Sequence, residues 1–98
     1  MKALGDLNPA LEHRIRLAIC VLLAKHGEIS FSRFKQQLAA TDGNLGAQLR
    51  RLEEQGFIDL RKDLLERKPV TWYRLTTEGR KALEQHLEAL QQLISAMD

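Results

Sequence analysis

The hydrophobic period of this sequence changes twice along the chain, and these changes constrain the fold more than any other feature. Apolar residues recur at helical spacing up to Gly56, alternate with polar residues over 57–61 and 70–75, and return to helical spacing after Thr76. Both alternating segments are rich in β-branched and aromatic residues, which favour strands. The connection 62–69 is polar at its ends, so the two segments predict a β-hairpin with a long tip.

The first predicted helix follows an N-terminus of about seven residues that we expect to be frayed. Asn8 is a favourable N-cap and Pro9 suits the first helical position, so the helix is predicted to extend from Ala10 to Gly27. Its apolar surface is wider than a single stripe, which predicts that it is covered on two sides.

Two further helices precede the hairpin. Ser30 is the predicted cap of a short helix at about 31–38, which follows an extended piece at 28–30. Thr41 is the predicted cap of a third helix at about 42–55, and the inner face of that helix carries Leu45, Leu49 and Leu52. The short break between these helices is typical of a helix-turn-helix unit.

A terminal helix at about 77–97, preceded by Thr76, completes the pattern. The predicted order is α-(β)-α-α-β-β-α, which is a mainly α fold with a small β-hairpin of the winged helix-turn-helix type. The sequence has 98 residues and no linker longer than a turn, so we expect residues 1–98 to form a single domain.

The outer face of the third helix has the residue types of a DNA-reading surface. Asn and Gln side chains hydrogen-bond to adenine in the major groove, and Arg hydrogen-bonds to guanine. Small residues in the first turns allow the backbone to approach the duplex, and the helix N-terminus adds a partial positive charge. The candidate contacts on this helix are Thr41, Gly43, Asn44, Ala47, Gln48, Arg50 and Arg51. An ordinary solvated helix face is the alternative interpretation.

The hairpin supports the DNA-binding interpretation because it brings together the basic residues Arg61, Lys62, Arg67 and Lys68. Cations in this position are expected to contact phosphates, which supply affinity and register. Residues 29–81 contain eleven Lys or Arg against seven acids, whereas residues 82–98 contain three acids and no base. The positive charge therefore lies on the predicted reading unit and wing at about 61–69, and not on the C-terminal tail.

The terminal helix carries an apolar seam with steps of four and three residues, which predicts a pairing surface. A small domain has too little core to cover the whole of such a helix, so we expect a homodimer formed by the first and last helices. The candidate interface residues are Leu11, Ile15, Leu83, Leu87, Leu90, Ile94 and Met97. In the alternative interpretation, the seam packs only on its own domain.

Three segments in combination carry a family resemblance: TDGNL at 41–45, LEEQGFI at 52–58 and YRLTTEGR at 73–80. With them the chain resembles the small one-domain winged-helix transcriptional regulators of the MarR/ArsR-like superfamily. The resemblance implies a dimeric, cytoplasmic, DNA-binding regulator with the third helix in the major groove. It also implies that Asn44 and Gln48 are reading residues and that Arg67 and Lys68 belong to the wing.

Other functions find little support in the sequence. His13, His26, His86 and Cys20 form no metal-ligand spacing, no phosphate loop or nucleophile motif is present, and no apolar stretch is long enough to span a membrane. We therefore expect no enzyme activity, no metal, no cofactor and no membrane contact. Apolar space between the first and last helices leaves room for a small-molecule effector, which the sequence does not identify. A winged helix that binds other proteins instead of DNA is the alternative function.

Overall fold

The computed structural model describes all residues, Met1–Asp98, and has the predicted winged-helix fold. Five α-helices and one 3-10 turn surround a three-stranded antiparallel sheet. In chain order the elements are α1 (Lys2–Asp6), the 3-10 turn (Pro9–Leu11), α2 (Arg14–His26), β1 (Glu28–Ser30), α3 (Phe31–Leu38), α4 (Asp42–Glu54), β2 (Ile58–Leu65), β3 (Lys68–Leu75) and α5 (Thr77–Ser95).

Three helices begin where the sequence predicts them, because each is preceded by a hydroxyl residue. The side chains of Ser30, Thr41 and Thr76 accept hydrogen bonds from the backbone N–H groups three residues further on, at 3.2, 3.2 and 3.0 Å. Each bond satisfies one of the donors that a helix start leaves free. The starts of α3, α4 and α5 are therefore fixed locally, and the predicted caps are confirmed.

The junction between the hairpin and α5 is held by Thr76 and Gly79. The Thr76 hydroxyl donates to the Gly56 carbonyl at 2.6 Å, and its backbone N–H donates to the Phe57 carbonyl at 3.0 Å. Gly79 lies against the same Phe57 backbone, so that a Cβ at this position would overlap the carbonyl oxygen. Thr76 and Gly79 therefore hold the start of α5 against the residues that precede β2.

The predicted start of the first long helix is wrong. Asn8 accepts a hydrogen bond from the N–H of Ala10 at 3.0 Å, but it caps only the 3-10 turn. The helix α2 begins at Arg14, where the ring nitrogen Nδ1 of His13 accepts from the N–H of Ile15 at 3.2 Å. The imidazole thus takes the place of the carboxylate, amide or hydroxyl oxygen that usually caps a helix.

The expectation of a frayed N-terminus is also wrong. The first residues form α1, which packs against α5 and buries Ala3. A second connection to α5 is a hydrogen bond from the backbone N–H of Asn8 to Nδ1 of the buried His86, at 2.9 Å. The N-terminal segment is therefore ordered by contacts with a helix far away in the sequence.

The hairpin has a shorter turn than the sequence suggests. In the sheet order β1-β3-β2, the ladder between β2 and β3 continues out to the pair Leu65–Lys68. Only Glu66 and Arg67 form the turn, with φ values of 52° and 67°. Two successive positive φ angles are typical of the tight turns that match strand twist. The long tip predicted for 62–69 is therefore a regular ladder with a two-residue turn.

A cluster of thirteen buried residues forms the core between the helices and the sheet. Phe34 and Tyr73 meet there edge to face, with ring centroids 6.2 Å apart. Three of the candidate dimer-interface residues, Leu11, Ile15 and Leu83, belong to this cluster. They pack on their own chain because the 3-10 turn and the first turns of α2 and α5 lie directly over the core.

Candidate nucleic-acid interface

The helix α4 turns its leucines into the core and leaves a polar face open to solvent. Leu45, Leu49 and Leu52 are buried. Six of the predicted contact residues are exposed to solvent: Thr41, Gly43, Asn44, Ala47, Arg50 and Arg51. The glycine and the alanine keep the first two turns slim, and apart from its neighbours and the backbone of α4 no protein atom lies within 4 Å of the space where a Cβ of Gly43 would stand. A duplex could thus approach this face closely.

Gln48, the remaining predicted contact on α4, is half-buried and makes two side-chain hydrogen bonds. Its Oε1 accepts from the guanidinium of Arg16 at 2.7 Å, and its Nε2 donates to Oδ1 of Asn44 at 3.1 Å. Arg16 in turn donates through Nε to the carbonyl of Ala10 at 2.6 Å. These bonds connect the polar face of α4 to α2 and to the 3-10 turn.

The negative charge at the start of α4 is balanced by a neighbouring helix. The Nζ of Lys35 on α3 lies 2.7 Å from the carboxylate of Asp42. This pair is exposed, so it contributes little stability. It does neutralise the one acid in the first turn of α4, where an anion would repel phosphate.

Arg61, which the sequence analysis placed among the DNA-contacting cations of the wing, is paired with carboxylates of its own chain. All three of its guanidinium nitrogens donate to carboxylates: Nε and one terminal nitrogen to Glu28, at 3.1 and 2.8 Å, and the other to Asp63, at 2.8 Å. The guanidinium also lies 5.7 Å from the ring centroid of Trp72. These bonds hold the pKa of the Glu28 carboxyl below its ordinary value. The guanidinium of Arg61 is therefore hydrogen-bonded within its own chain.

Lys62, Arg67 and Lys68 remain as exposed cations on the hairpin, and none of them takes part in an ion pair. Strand alternation places Lys62 on the same sheet face as Leu60, whereas Arg61 points to the opposite face. Leu60 lines a cleft of about 180 Å³ together with Gly46, Leu49, Arg50, Glu53 and Tyr73. Lys62 thus stands on the side of the wing that faces α4.

The hairpin end also carries exposed apolar side chains that the sequence analysis did not single out. Leu64 and Leu65 are 67% and 60% exposed, on opposite faces of the ribbon. Leu64 pairs with Pro69 across the ladder. The alternation of apolar and polar residues stops being informative here because neither face of the ribbon is buried.

The helix α5 has two apolar stripes, of which only one is covered. Leu83, His86 and Ala89 are buried against the rest of the chain. The neighbouring stripe is open: Leu87, Ile94 and Met97 are 41%, 57% and 84% exposed, and Leu90 is half-buried. On α1, which packs against α5, Leu4 is also exposed. Leu87, Leu90 and Ile94, with Met97 just beyond the end of α5, are called the α5 stripe.

The groups that bear on metal or redox chemistry are dispersed. The structure contains no group of three His, Cys, Asp or Glu side chains arranged to hold a metal ion. Cys20 is buried in the core, and this burial raises the pKa of its thiol to about 12. None of the helices combines the length and apolar character of a membrane span.

Two grooves flank α4, one of about 550 Å³ beside Ala18 and Asn44 and one of about 300 Å³ beside Arg16 and Arg51.

Comparison with known proteins identifies the fold and the class of function. A family model described as a winged helix DNA-binding domain matches residues 15–94. The chain belongs to this family. An uncharacterized protein of Methanocaldococcus jannaschii is 33% identical over 79 residues, which is 81% of this chain and 86% of that protein. The uncharacterized HTH-type transcriptional regulator YwhA of Bacillus subtilis is 29% identical over 91% of this chain and 63% of its own length.

Among solved structures, a transcriptional regulator homologue from Pyrococcus horikoshii superposes on this chain with a TM-score of 0.91. It is 28% identical, and the match covers 100% of this chain and 99% of that one. These likenesses confirm the predicted winged-helix fold and the predicted resemblance to small transcriptional regulators. They also confirm that the chain belongs to a DNA-binding class. The individual DNA-contacting and pairing residues stay predictions.

Two residues that shape this winged-helix surface gave no signal in the sequence. Arg16 lies in an otherwise apolar stretch, and its partner Gln48 is 32 positions away. Glu28, which binds Arg61, is 33 positions from it. Spacing rules reach three or four residues along a helix, or the neighbouring strand of a hairpin, and do not reveal pairings at such distances.

Proposed function

We propose that the protein binds specific sequences of double-stranded DNA as a homodimeric transcriptional regulator, with α4 in the major groove and the end of the hairpin on the phosphate backbone. The observation that carries this proposal is the open face of α4, where Asn44, Arg50 and Arg51 are exposed beside the small residues Gly43 and Ala47. An α-helix fits the major groove, and these side chains reach base edges or flanking phosphates from it.

The expected salt dependence of DNA binding follows from the number of basic side chains that have no ion-pair partner. Five exposed basic residues on α4 and the wing have no ion-pair partner: Arg50, Arg51, Lys62, Arg67 and Lys68. Each phosphate contact contributes about −0.9 to the slope of log affinity against log salt concentration, so the five together set a limit of about −4.5 per protomer. The exposed pair Lys35–Asp42 adds no net charge to this group.

Pairing through the α5 stripe supplies the two-fold symmetry that such regulators use. The stripe leaves Leu87, Ile94 and Met97 in water, and a second copy of the same stripe is the simplest surface that would cover them. A two-fold dimer presents its reading helices to half-sites about 34 Å apart, one helical turn of the duplex. Residues 1–98 then act as one winged-helix domain whose last helix, α5, forms the dimer.

The phosphate role of the wing is tested by replacing Arg67 and Lys68 together with Ala. Loss of two phosphate contacts is expected to reduce the salt slope by about 1.8 per protomer and to weaken binding to all sequences similarly. Affinities are measured for random duplex DNA between about 50 and 200 mM salt. The matched control is Lys2→Ala with Lys25→Ala, which removes two exposed charges outside α4 and the hairpin and should leave the slope unchanged.

A loss confined to one selected sequence would contradict the phosphate role of the wing. If the unaltered protein showed no salt-dependent binding to any duplex, the proposal itself would fail, and a winged helix that binds other proteins would be the better interpretation. Selection of bound duplexes from a random pool then measures sequence specificity, for which we expect at least about a thousandfold preference over random DNA.

The pairing role of the α5 stripe is tested by Leu87→Glu, which places a charge within the apolar surface. Light scattering is expected to show monomers, and affinity for a two-half-site duplex should fall to that of a single half-site. Gln85→Glu adds the same charge at an exposed position on the side of α5 away from Leu87, and this variant should remain a dimer. A dimer that survives Leu87→Glu would place the interface elsewhere.

A further inference from the structure

The hydrogen bonds around Gln48 restrict what α4 is able to read. Arg16 is half-buried on α2, and its guanidinium divides between two acceptors: the carbonyl of Ala10 at 2.6 Å and Oε1 of Gln48 at 2.7 Å. The first bond anchors the guanidinium to the 3-10 turn. The second is a charge-assisted hydrogen bond, which is stronger than one between neutral groups.

The chemistry of arginine fixes the direction of the chain of bonds. A guanidinium has five N–H donors and no acceptor, so the amide of Gln48 must turn its oxygen to Arg16. The NH₂ group of Gln48 therefore points the other way, and it donates to Oδ1 of Asn44 at 3.1 Å. Asn44 must in turn keep its oxygen toward Gln48, which leaves the NH₂ group of Asn44 facing solvent.

The geometry points to Arg16 as a positioning residue that orients the amide of Asn44 so that its NH₂ donor faces the duplex, which favours guanine over adenine. This inference rests on the proposed function. An amide reads adenine with one donor and one acceptor, but Oδ1 of Asn44 is turned toward Gln48 and one of its two lone pairs is engaged there, so the NH₂ group is the part of Asn44 that is wholly free for a base. Guanine offers two acceptors, N7 and O6, in the major groove, and adenine offers only N7 beside a donor. The nearby Arg51, which is exposed, adds further donors.

Preorganisation adds to this selectivity. A free Gln side chain loses rotamer freedom when it is ordered on binding, and the bonds to Arg16 and Asn44 order it before DNA arrives. The orientation that is selective for guanine is thus already present in the free protein. Any change that lets the amide of Gln48 rotate removes both the order and the selectivity.

The first test uses the unaltered protein and the duplexes that it selects from a random pool. The Asn44→Ala variant identifies the base pair that Asn44 reads, because the preference at that position is lost. We expect guanine there, and replacing it by adenine or by 7-deazaguanine, which lacks N7, should weaken binding about tenfold. Adenine as the preferred base would overturn the inference and leave the proposed function standing.

The second test separates the direction of the hydrogen bonds from a general structural role of Arg16. Arg16→Lys keeps a donor-only group, and the preference for guanine over adenine should stay within about threefold of that of the unaltered protein. Arg16→Gln supplies both a donor and an acceptor, so that Gln48 is free to rotate and the preference should fall toward one. Arg14→Gln removes the same charge from an exposed neighbour that bonds neither Gln48 nor Asn44, and it should keep the preference.

Two outcomes would count against Arg16 as a positioning residue. One is an unchanged preference in Arg16→Gln. The other is a salt slope that falls by about 0.9 more in Arg16→Gln than in Arg14→Gln, which would make Arg16 a phosphate contact. Absence of any enriched sequence in the selection would instead mean that the proposed function has failed, so the two failures are distinguishable.

Discussion

Gly79 offers the sharpest test of how the hairpin and α5 are joined. A Cβ at this position would lie 2.8 Å from the carbonyl carbon of Phe57 and would overlap the carbonyl oxygen. That oxygen also accepts the backbone N–H of Thr76 at 3.0 Å, so it has no freedom to move aside. In Gly79→Ala, the start of α5 must move away from β2, and the hydrogen bonds of Thr76 must lengthen.

The magnitude follows from two opposing effects. Alanine in place of glycine favours a helix by about 1 kcal/mol. Forcing an extra methyl group into a packed site costs about 1–3 kcal/mol, and the upper end applies here because the obstacle is backbone rather than a flexible side chain. The free energy of unfolding should therefore fall by about 2 kcal/mol, which lowers Tm by about 8–16 °C in a domain of this size.

Gly46→Ala is the matched control, because Gly46 also lies within a helix and, apart from its neighbours and the backbone of that helix, no atom is within 4 Å of its added Cβ. This variant should gain the helix propensity alone, raising Tm by about 4–8 °C. Melting is followed by circular dichroism at one fixed protein concentration, since pairing would make Tm depend on concentration. Equal or higher stability of Gly79→Ala than of the unaltered protein would refute the close approach of α5 to Phe57.

Two further predictions concern titratable groups. Burial, together with the nearby Arg16, Arg14 and Arg51, lowers the pKa of His13, whose Nδ1 must be unprotonated to cap α2. Its contribution to stability is therefore present above about pH 6.5 and is lost as pH falls through the lower folded pKa, so His13→Asn, which caps without titrating, should lose less Tm between pH 8 and 5. With a thiol pKa of about 12, Cys20 should stay unreactive toward a thiol reagent at pH 8 until urea unfolds the chain; rapid labelling of the native protein would contradict its burial.

The parts of the fold that the sequence predicts are those that depend on near neighbours. The caps of α3, α4 and α5 are hydrogen bonds across three residues, so a hydroxyl residue before an apolar repeat is enough to place them. The same capping rules give a wrong prediction for the N-terminal region, and the reason is physical. The side chain of Asn8 caps a turn that stops after Pro9–Leu11, and α1 has no side-chain cap at all and is held by packing on α5.

The hairpin shows a different limit. Its ladder continues to the pair Leu65–Lys68, but the side chains of residues 61–69 are exposed. This part of the sequence therefore has no alternation of buried apolar and exposed polar residues that would reveal the strands. The turn residues Glu66 and Arg67 adopt positive φ without being glycine or asparagine. The backbone ladder extends this ribbon, and it leaves no apolar alternation in the sequence.

The candidate site depends most on contacts between residues far apart in the sequence. Counting basic residues makes Arg61 equivalent to Lys62, but Glu28 and Asp63 occupy all three nitrogens of the Arg61 guanidinium. Conversely, Arg16 on α2 escapes a search for DNA-reading residues although it orients Gln48. The guanidinium of Arg61 must share or give up its bonds to Glu28 and Asp63 to bind a phosphate, whereas Lys62 has no such partner. The number of free cations, and with it the salt dependence of binding, is thus a property of the folded chain and not of its composition.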